Sequence, residues 1–233
     1  DFKWFLGQAR ERNLEVAMDF ALQCSPDHPY VRDHPEWFYR LPDGTIRYAE
    51  NPPKRYEDIH PFNFYPENEA DRKALWNEIL SIVIFWRRNG MRIFRVDNPH
   101  TKPFGFWEWM IGQTHQLYPD TLFLAEAFVY DGVKLQLLKV GFDHTYTDFP
   151  FKIRDGKDRL QEYLSWLTGP LVAPFGRGHL WCNTPDILVR GLWDKGQEHF
   201  IIYAVLAGTL SSAWGIYGPA YEQLNNRPIG DSE

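Results

Sequence analysis

The chain has 233 residues, and its 25 lysines and arginines against 31 aspartates and glutamates leave a formal charge of −6. A net negative charge disfavours nucleic acids and anionic membrane surfaces as partners. The longest apolar runs are also too short for a bilayer span, which needs about 20 apolar residues. These properties exclude the nucleic-acid-binding and membrane-spanning classes and leave a globular protein of one or two domains.

The cysteine and aromatic content indicates the cellular compartment of the protein and the kind of ligand that it binds. Cys24 and Cys182 are too few for a disulfide framework, which fits a reducing cytoplasm. The first residues resemble no signal peptide and do not include a starting Met, so we expect both ends to be cut from a longer chain. Aromatic residues make up 17% of the chain, and their apolar faces suit sugar rings as well as a protein core.

Short apolar runs alternate with helical patterns along the chain, which is typical of βα units on a parallel sheet. The sequence predicts strands at residues 16–22, 92–97, 122–126, 144–149, 180–183 and 213–217. Helices are predicted around Arg10, along the apolar stripe from Leu75 to Val83, at 160–167 and at 200–207. Asn68 with Asp71 is a predicted cap at the start of the second helix, and Gly90 is its predicted stop.

The connection from residue 25 to residue 67 is rich in proline and far longer than an ordinary βα loop. Its turn signal at residues 41–46 (LPDGTI) predicts a small hairpin. A complete (β/α)₈ TIM barrel has eight units and about 250 residues before insertions. We therefore predict an α/β fold: residues 1–233 form part of one catalytic barrel domain, truncated so that the first strands are missing, with an inserted subdomain at 25–67.

Three acidic residues follow predicted strands, at the sheet edge where parallel α/β folds place their reacting groups. The two-residue period of a strand puts Arg95 on the same face as Asp97. The guanidinium group of Arg95 should keep the Asp97 carboxylate ionised, as a nucleophile must be. Glu126 ends an apolar strand, and apolar surroundings favour the protonated form that a general acid needs. Asp186 follows the strand at 180–183 and is a third candidate. Together they form a set typical of glycosidases.

Structural roles are the alternative for each of these residues taken alone. Asp97 would then only pair with Arg95, Glu126 would accept backbone hydrogen bonds, and Asp186 would cap the following segment. Three carboxylates at three strand ends, in a chain rich in tryptophan, favour chemistry. No set of histidines has metal-ligand spacing, so we predict no catalytic metal and no cofactor.

Other polar and aromatic residues allow two interpretations. Arg55, His100 and Lys102 are either solvated loop charges or site residues. Trp107 and Trp109 either line the site or, more commonly for aromatic residues, anchor a helix. Cys24 and Cys182 are expected to be small buried residues, because no histidine partner is apparent for a nucleophilic thiol.

Four segments resemble the α-amylase superfamily. They are residues 19–24 (DFALQC), 90–97 (GMRIFRVD), Glu126, and 183–186 (NTPD). Gln23 with Cys24, and Pro185 before Asp186, depart from the general family pattern. With residues 49–56 (AENPPKRY), 97–103 (DNPHTKP) and 124–128 (LAEAF), they resemble one subfamily, the bacterial α-1,4-glucan:maltose-1-phosphate maltosyltransferases.

The resemblance implies a retaining transfer of maltosyl from maltose 1-phosphate to the non-reducing end of an α-1,4-glucan. Asp97 is then the nucleophile, Glu126 the acid and base, and Asp186 the third catalytic carboxylate. The residues implied in phosphate binding are Asn51, Tyr56 and Asn98, and those implied in sugar binding are Gln23 and Lys54, with Arg95 also in the substrate site. The resemblance further implies a homodimer for the full-length protein.

Two other functions remain open at this point. One is a hydrolase or transglycosylase of the same superfamily that uses an oligosaccharide donor. The other is a non-catalytic glucan-binding protein or inactive fragment that keeps the sugar groove without turnover. The set of Asp97, Glu126 and Asp186 argues against the second alternative, and phosphate release from maltose 1-phosphate distinguishes the first.

Overall fold

Strands and helices alternate along the chain in the computed structural model, which describes residues 1–51 and 54–228. The chain divides into two units, Asp1–Leu124 and Ala125–Glu233, which are described in turn. No helix in the described part of the chain is both long enough and apolar enough to cross a membrane.

The first unit contains the predicted βα pattern and the long insertion. Its helices are α1 (Phe2–Glu11), α2 (Pro29–Asp33), α3 (Glu69–Arg88) and α4 (Phe104–Leu117). Its strands are β1 (Ala17–Phe20), β2 (Gln23–Cys24), β3 (Ala49–Asn51), β4 (Lys54–Tyr56), β5 (His60–Pro61), β6 (Ile93–Asp97) and the first residues of β7 (Leu122–Glu126).

Strands β1 and β6 form the parallel pair that supports the candidate site. They pair from Ala17 beside Ile93 to Phe20 beside Val96. The Leu122 N–H, at the start of β7, donates to the carbonyl oxygen of Arg92 at 3.0 Å. Phe94 and Val96 are fully buried, so the intervening side chains of β6 point to the other side of the strand.

Helix α3 follows its predicted pattern closely. Its N-cap residue, Asn68, accepts a hydrogen bond from the Ala70 N–H at 2.8 Å. Leu75, Ile79 and Val83 form its buried stripe. The helix ends at Arg88 with Asn89 as its C-cap, and Gly90 follows with a φ of 97°, in the left-handed region that glycine adopts without strain.

The insertion contains the predicted turn and additional pairing that the sequence does not predict. Arg40 and Ile46 form an antiparallel bridge around Gly44, whose φ is 87°. Strands β3 and β4 are antiparallel neighbours, and β2 pairs with β5. The predicted strand at 16–22 is therefore too long at its end, because Gln23 and Cys24 turn to pair with β5 in the insertion.

The second unit contains the later βα units. Its helices are α5 (Asp131–Lys139), α6 (Phe149–Arg154), α7 (Lys157–Leu167), α8 (Gln197–Leu210) and α9 (Gly218–Glu222), and its further strands are β8 (His144–Tyr146), β9 (Arg177–Trp181) and β10 (Trp214–Gly215). Strand β9 is parallel to both β8 and β10. Trp181 lies in the core of this unit and donates from Nε1 to the Thr147 carbonyl oxygen at 2.6 Å.

Three predicted strand boundaries in this unit are wrong. The strand at 144–149 ends at Tyr146, because Asp148 and Pro150 start a helix in which the missing proline N–H costs no hydrogen bond. The strand at 180–183 lies instead at Arg177–Trp181, since its polar first residues pair with β8. The strand at 213–217 shortens to Trp214–Gly215.

Two partly buried histidines lie side by side on β8 and β9. The ring centroids of His144 and His179 are 4.9 Å apart, and the Tyr146 ring packs edge-on against His179. Burial and the neighbouring His179 lower the pKa of His144 to about 3. Burial lowers the pKa of His179 to about 4. Both rings are therefore neutral in the folded protein near neutral pH.

We predict that this pair makes the protein sensitive to mild acid. In the unfolded chain both histidines bind protons below about pH 6.5, whereas in the folded protein they resist protonation down to about pH 4. The free energy of unfolding should therefore fall as pH drops through this window, by at most about 1.4 kcal/mol per pH unit for each histidine.

Urea unfolding at several pH values tests this prediction. His144→Gln and His179→Gln should each flatten the pH dependence, because each removes one of the two histidines with a lowered pKa. Equal slopes for the wild type and both variants would contradict the assignment.

Candidate active site

Asp97 is the last residue of β6, and each of its carboxylate oxygens accepts a hydrogen bond. Arg95 donates from Nη1 to Asp97 Oδ1 at 3.3 Å, and Asn98 donates from Nδ2 to Asp97 Oδ2 at 3.3 Å. The same Arg95 nitrogen also contacts Asp19 Oδ1 on β1 at 2.7 Å. The carboxylate thus has a fixed orientation at the strand end, and the predicted juxtaposition of Arg95 and Asp97 is confirmed.

A cavity of about 480 Å³ lies beside Asp97 within the first unit. Four of the candidate residues line it: Gln23, Tyr56, Asp97 and Asn98. Gln23 reaches it because β2 pairs with β5, and Tyr56 because it ends the β3–β4 hairpin. The insertion and the end of β6 therefore supply the lining together.

Two candidate residues, Asn51 and Lys54, fall on positions whose side chains lie outside the described residues. Their backbones are paired with each other in the β3–β4 register. Ala49, Glu50 and Tyr56 on the same two strands line the cavity. The hairpin that carries Asn51 and Lys54 is thus a wall of the site.

Glu126 belongs to the second unit, at the end of β7. Its side chain is only 7% exposed, and the adjacent Ala125 and Ala127 are also buried. Its position at a strand end and its burial agree with the environment predicted for it.

Asp186 lies in the second unit in an exposed turn after β9. The Thr184 hydroxyl accepts hydrogen bonds from the N–H groups of Asp186 and Ile187, at 3.1 and 2.9 Å. Asn183 holds the start of this turn, since its Oδ1 accepts from the Tyr217 N–H at 2.8 Å. A cavity of about 330 Å³ adjoins the turn and includes Asp186 in its lining.

The open interpretations of the loop residues are now resolved individually. Lys102 is buried, with 7% exposure, so its interpretation as a solvated charge is wrong. Arg55 is exposed and lies 3.7 Å from Glu50, as expected of a solvated loop charge. Trp107 anchors α4 by donating from Nε1 to the Pro99 carbonyl oxygen at 2.9 Å.

His100 is partly shielded from solvent and lines the first cavity. Burial and the positive charge of Lys102 lower the pKa of His100, and the charge of Asp97 opposes them. Its imidazole is therefore neutral at neutral pH, and its interpretation as a solvated charge does not hold.

The sequence did not reveal three further residues that line the cavity, Tyr39, Arg47 and Tyr48. Tyr39 and Arg47 face each other in the small hairpin, where the Arg47 N–H donates to the Tyr39 carbonyl oxygen at 2.8 Å. The turn signal predicted this hairpin, but no sequence pattern indicates that its sides face a cavity. Only the folded position of the insertion brings them there.

The chain matches no protein-family model. Over all 233 residues it is 53% identical to the alpha-1,4-glucan:maltose-1-phosphate maltosyltransferase of Picrophilus torridus and 51% identical to that of Myxococcus xanthus. It covers 36% and 34% of these two proteins. The chain thus spans about a third of the length of the curated relatives that it matches, and its resemblance to maltosyltransferases is confirmed over its full length.

Solved structures establish the fold. An alpha-amylase from Lactobacillus plantarum matches with a TM-score of 0.72 and 20% identity, covering 93% of this chain and 54% of that one. An Anoxybacillus alpha-amylase matches with a TM-score of 0.76 and 13% identity, covering 99% of this chain and 54% of that one. The predicted fold class, part of an α-amylase-type (β/α)₈ barrel, is therefore confirmed.

We predict that neither cysteine reacts in the folded protein. Cys24 and Cys182 are both buried, and burial raises the pKa of each thiol to about 11. Because the thiolate is the reactive form, a thiol reagent at about pH 8 should label neither residue until the protein unfolds.

A sample in urea serves as the positive control, in which peptide mass spectrometry should find both Cys24 and Cys182 labelled. Rapid labelling of Cys24 or Cys182 in the native protein would contradict the prediction and reopen a nucleophilic role.

Proposed function

We propose that this chain is part of the catalytic domain of an α-1,4-glucan:maltose-1-phosphate maltosyltransferase. The observation that carries the proposal is the 53% identity to a protein of that name over all 233 residues. Residues 1–233, with the insertion at 25–67, would then form part of one barrel domain. The full-length enzyme would act in the cytoplasm, and a homodimer is part of the proposal.

In the first step proposed, an oxygen of the Asp97 carboxylate attacks the anomeric carbon of maltose 1-phosphate. The bond between that carbon and the phosphate oxygen breaks, and phosphate departs with the bonding electrons. Glu126 assists by giving its proton to the departing oxygen. The product is a maltosyl ester of Asp97 with inverted configuration.

In the second step, the 4-hydroxyl at the non-reducing end of an α-1,4-glucan attacks the same carbon. Glu126, now a carboxylate, takes the hydroxyl proton, and the ester bond to Asp97 breaks. The second inversion restores the α configuration, so the glucan grows by one maltosyl unit. Asp186 would bind sugar hydroxyls and stabilise the positive charge that develops at the anomeric carbon.

The cavity of the first unit supports this assignment of roles. A phosphate dianion next to a carboxylate needs hydrogen-bond donors and cations around it. Asn98 and Tyr56 line the cavity beside Asp97, and Arg47 is a cation in the same lining. Asn51, Tyr56 and Asn98 are the proposed phosphate contacts, and Gln23 and Lys54 are proposed for the sugar. Arg95 is also assigned to the substrate site, next to Asp97.

We predict that the full-length protein releases inorganic phosphate when given maltose 1-phosphate and a maltooligosaccharide, with growth of the acceptor by two glucose units. Asp97→Asn should lower the rate at least about 1,000-fold, because it removes the attacking group. Asp158→Asn, at an exposed position in the first turn of α7, should retain the wild-type rate.

Phosphate and glucan products are measured in the same samples. Cleavage of maltooligosaccharides by water without any phosphate release from maltose 1-phosphate would contradict the transferase and favour a hydrolase of the same superfamily. Absence of both activities in the folded full-length protein would favour a non-catalytic glucan-binding protein.

A further inference from the structure

We propose that Lys102 is a positioning residue, which fixes the backbone turn that carries Asp97 and Asn98. The inference rests on the proposed function, in which Asp97 is the nucleophile. Lys102 would not touch the substrate: its buried ammonium group would act on the reaction through the backbone of Asp97 and Asn98.

The main evidence is a run of three consecutive carbonyl groups, beginning at the last residue of β6, each of which accepts a hydrogen bond from a side chain. Lys102 Nζ donates to the carbonyl oxygens of Asp97, at 3.2 Å, and Asn98, at 3.1 Å. Thr101 Oγ1 donates to the Asn98 oxygen at 2.8 Å, and Trp107 Nε1 donates to the Pro99 oxygen at 2.9 Å. Lys102 is the member of this set that holds the residue bearing the nucleophilic carboxylate.

The turn needs such support because Asn98 has an unfavourable backbone conformation. Its φ of 43° and ψ of 53° are left-handed, a region that asparagine adopts more readily than other non-glycine residues but still at a cost relative to the right-handed region. This conformation turns the chain into the short 3₁₀ helix Pro99–Thr101 and keeps the Asn98 amide within 3.3 Å of the Asp97 carboxylate. Hydrogen bonds from the charged ammonium group offset part of that cost.

The burial of Lys102 also argues for a specific role. Only 7% of this residue is exposed, although desolvating an ammonium group is costly unless it is well solvated by the protein. Its charge acts within the cavity lining, since it helps to lower the pKa of the neighbouring His100. A lysine that served only to fill space would be replaced at lower cost by an apolar residue of the same length.

The experiment compares three variants of the full-length protein with two donors, maltose 1-phosphate and α-maltosyl fluoride. Lys102→Met keeps the length of the side chain but removes its charge and its donors, and Lys102→Arg keeps both. Lys73→Met, on α3 with a side chain that is 68% exposed, is the matched control. Rates are expressed per active site, counted by covalent trapping with a fluorinated donor, so that unfolded protein does not contribute.

If Lys102 positions Asp97, Lys102→Met should lower kcat about tenfold to a hundredfold, because a misplaced nucleophile slows the chemical step more than binding. The loss should be equal for the two donors, and KM should change less than about threefold. Lys102→Arg should recover most of the rate, and Lys73→Met should match the wild type.

Two results would overturn the proposal. One is an unchanged kcat per active site in Lys102→Met. The other is a loss confined to maltose 1-phosphate and expressed in KM, which would make Lys102 a phosphate-binding residue. If Lys102→Met fails to fold, Thr101→Val tests the same turn, with a smaller loss of kcat expected and an unchanged kcat as the contradicting result.

Failure of the proposed function is recognised separately. It would appear as a wild-type protein that uses α-maltosyl fluoride but frees no phosphate from maltose 1-phosphate. The fluoride donor would still report on the position of Asp97 in that case.

Discussion

The two-residue period of β6 is the constraint on which the candidate site depends. Phe94 and Val96 are buried completely, and Phe94 packs against the rings of Phe20 and Phe123 at centroid distances of 5.9 and 5.6 Å. This packing fixes the register of the strand, because a shift by one residue would bury Arg95 and Asp97 in place of the apolar pair. The hydrophobic core of the first unit therefore determines where the carboxylate points.

The insertion and the turn after β6 convert that strand end into a cavity. Residues from the β3–β4 hairpin and the smaller hairpin around Gly44 face Asp97 and Asn98 across the same space. A rigid strand positions the proposed nucleophile, and longer loops supply the other residues of the cavity, an arrangement common in parallel α/β folds. The side-chain hydrogen bonds to the Asp97, Asn98 and Pro99 carbonyls show that the junction between the two is itself fixed.

Sequence patterns predicted the helices and strands that depend on apolar periodicity and on the residues at their ends. The apolar stripe and caps of α3 and the bounds of β7 follow from periodicity and from the residues at their ends. The predicted end of the strand at 144–149 was wrong, because Asp148 and Pro150 favour the start of a helix over extension of the strand. The burial of Lys102 and the cavity position of Arg47 depend on contacts that the sequence does not encode locally. The motif resemblance, and not any local pattern, supplied the candidate residues for phosphate and sugar binding.

The covalent intermediate is the most direct test of the account. The full-length protein would be incubated with a fluorinated maltosyl fluoride, whose ester with the enzyme hydrolyses slowly, and then digested for peptide mass spectrometry. The account predicts one maltosyl-derived label, on the carboxylate of Asp97, and no label in Asp97→Asn. A catalytically active protein that carries the label on another residue, or that forms no covalent adduct, would contradict it.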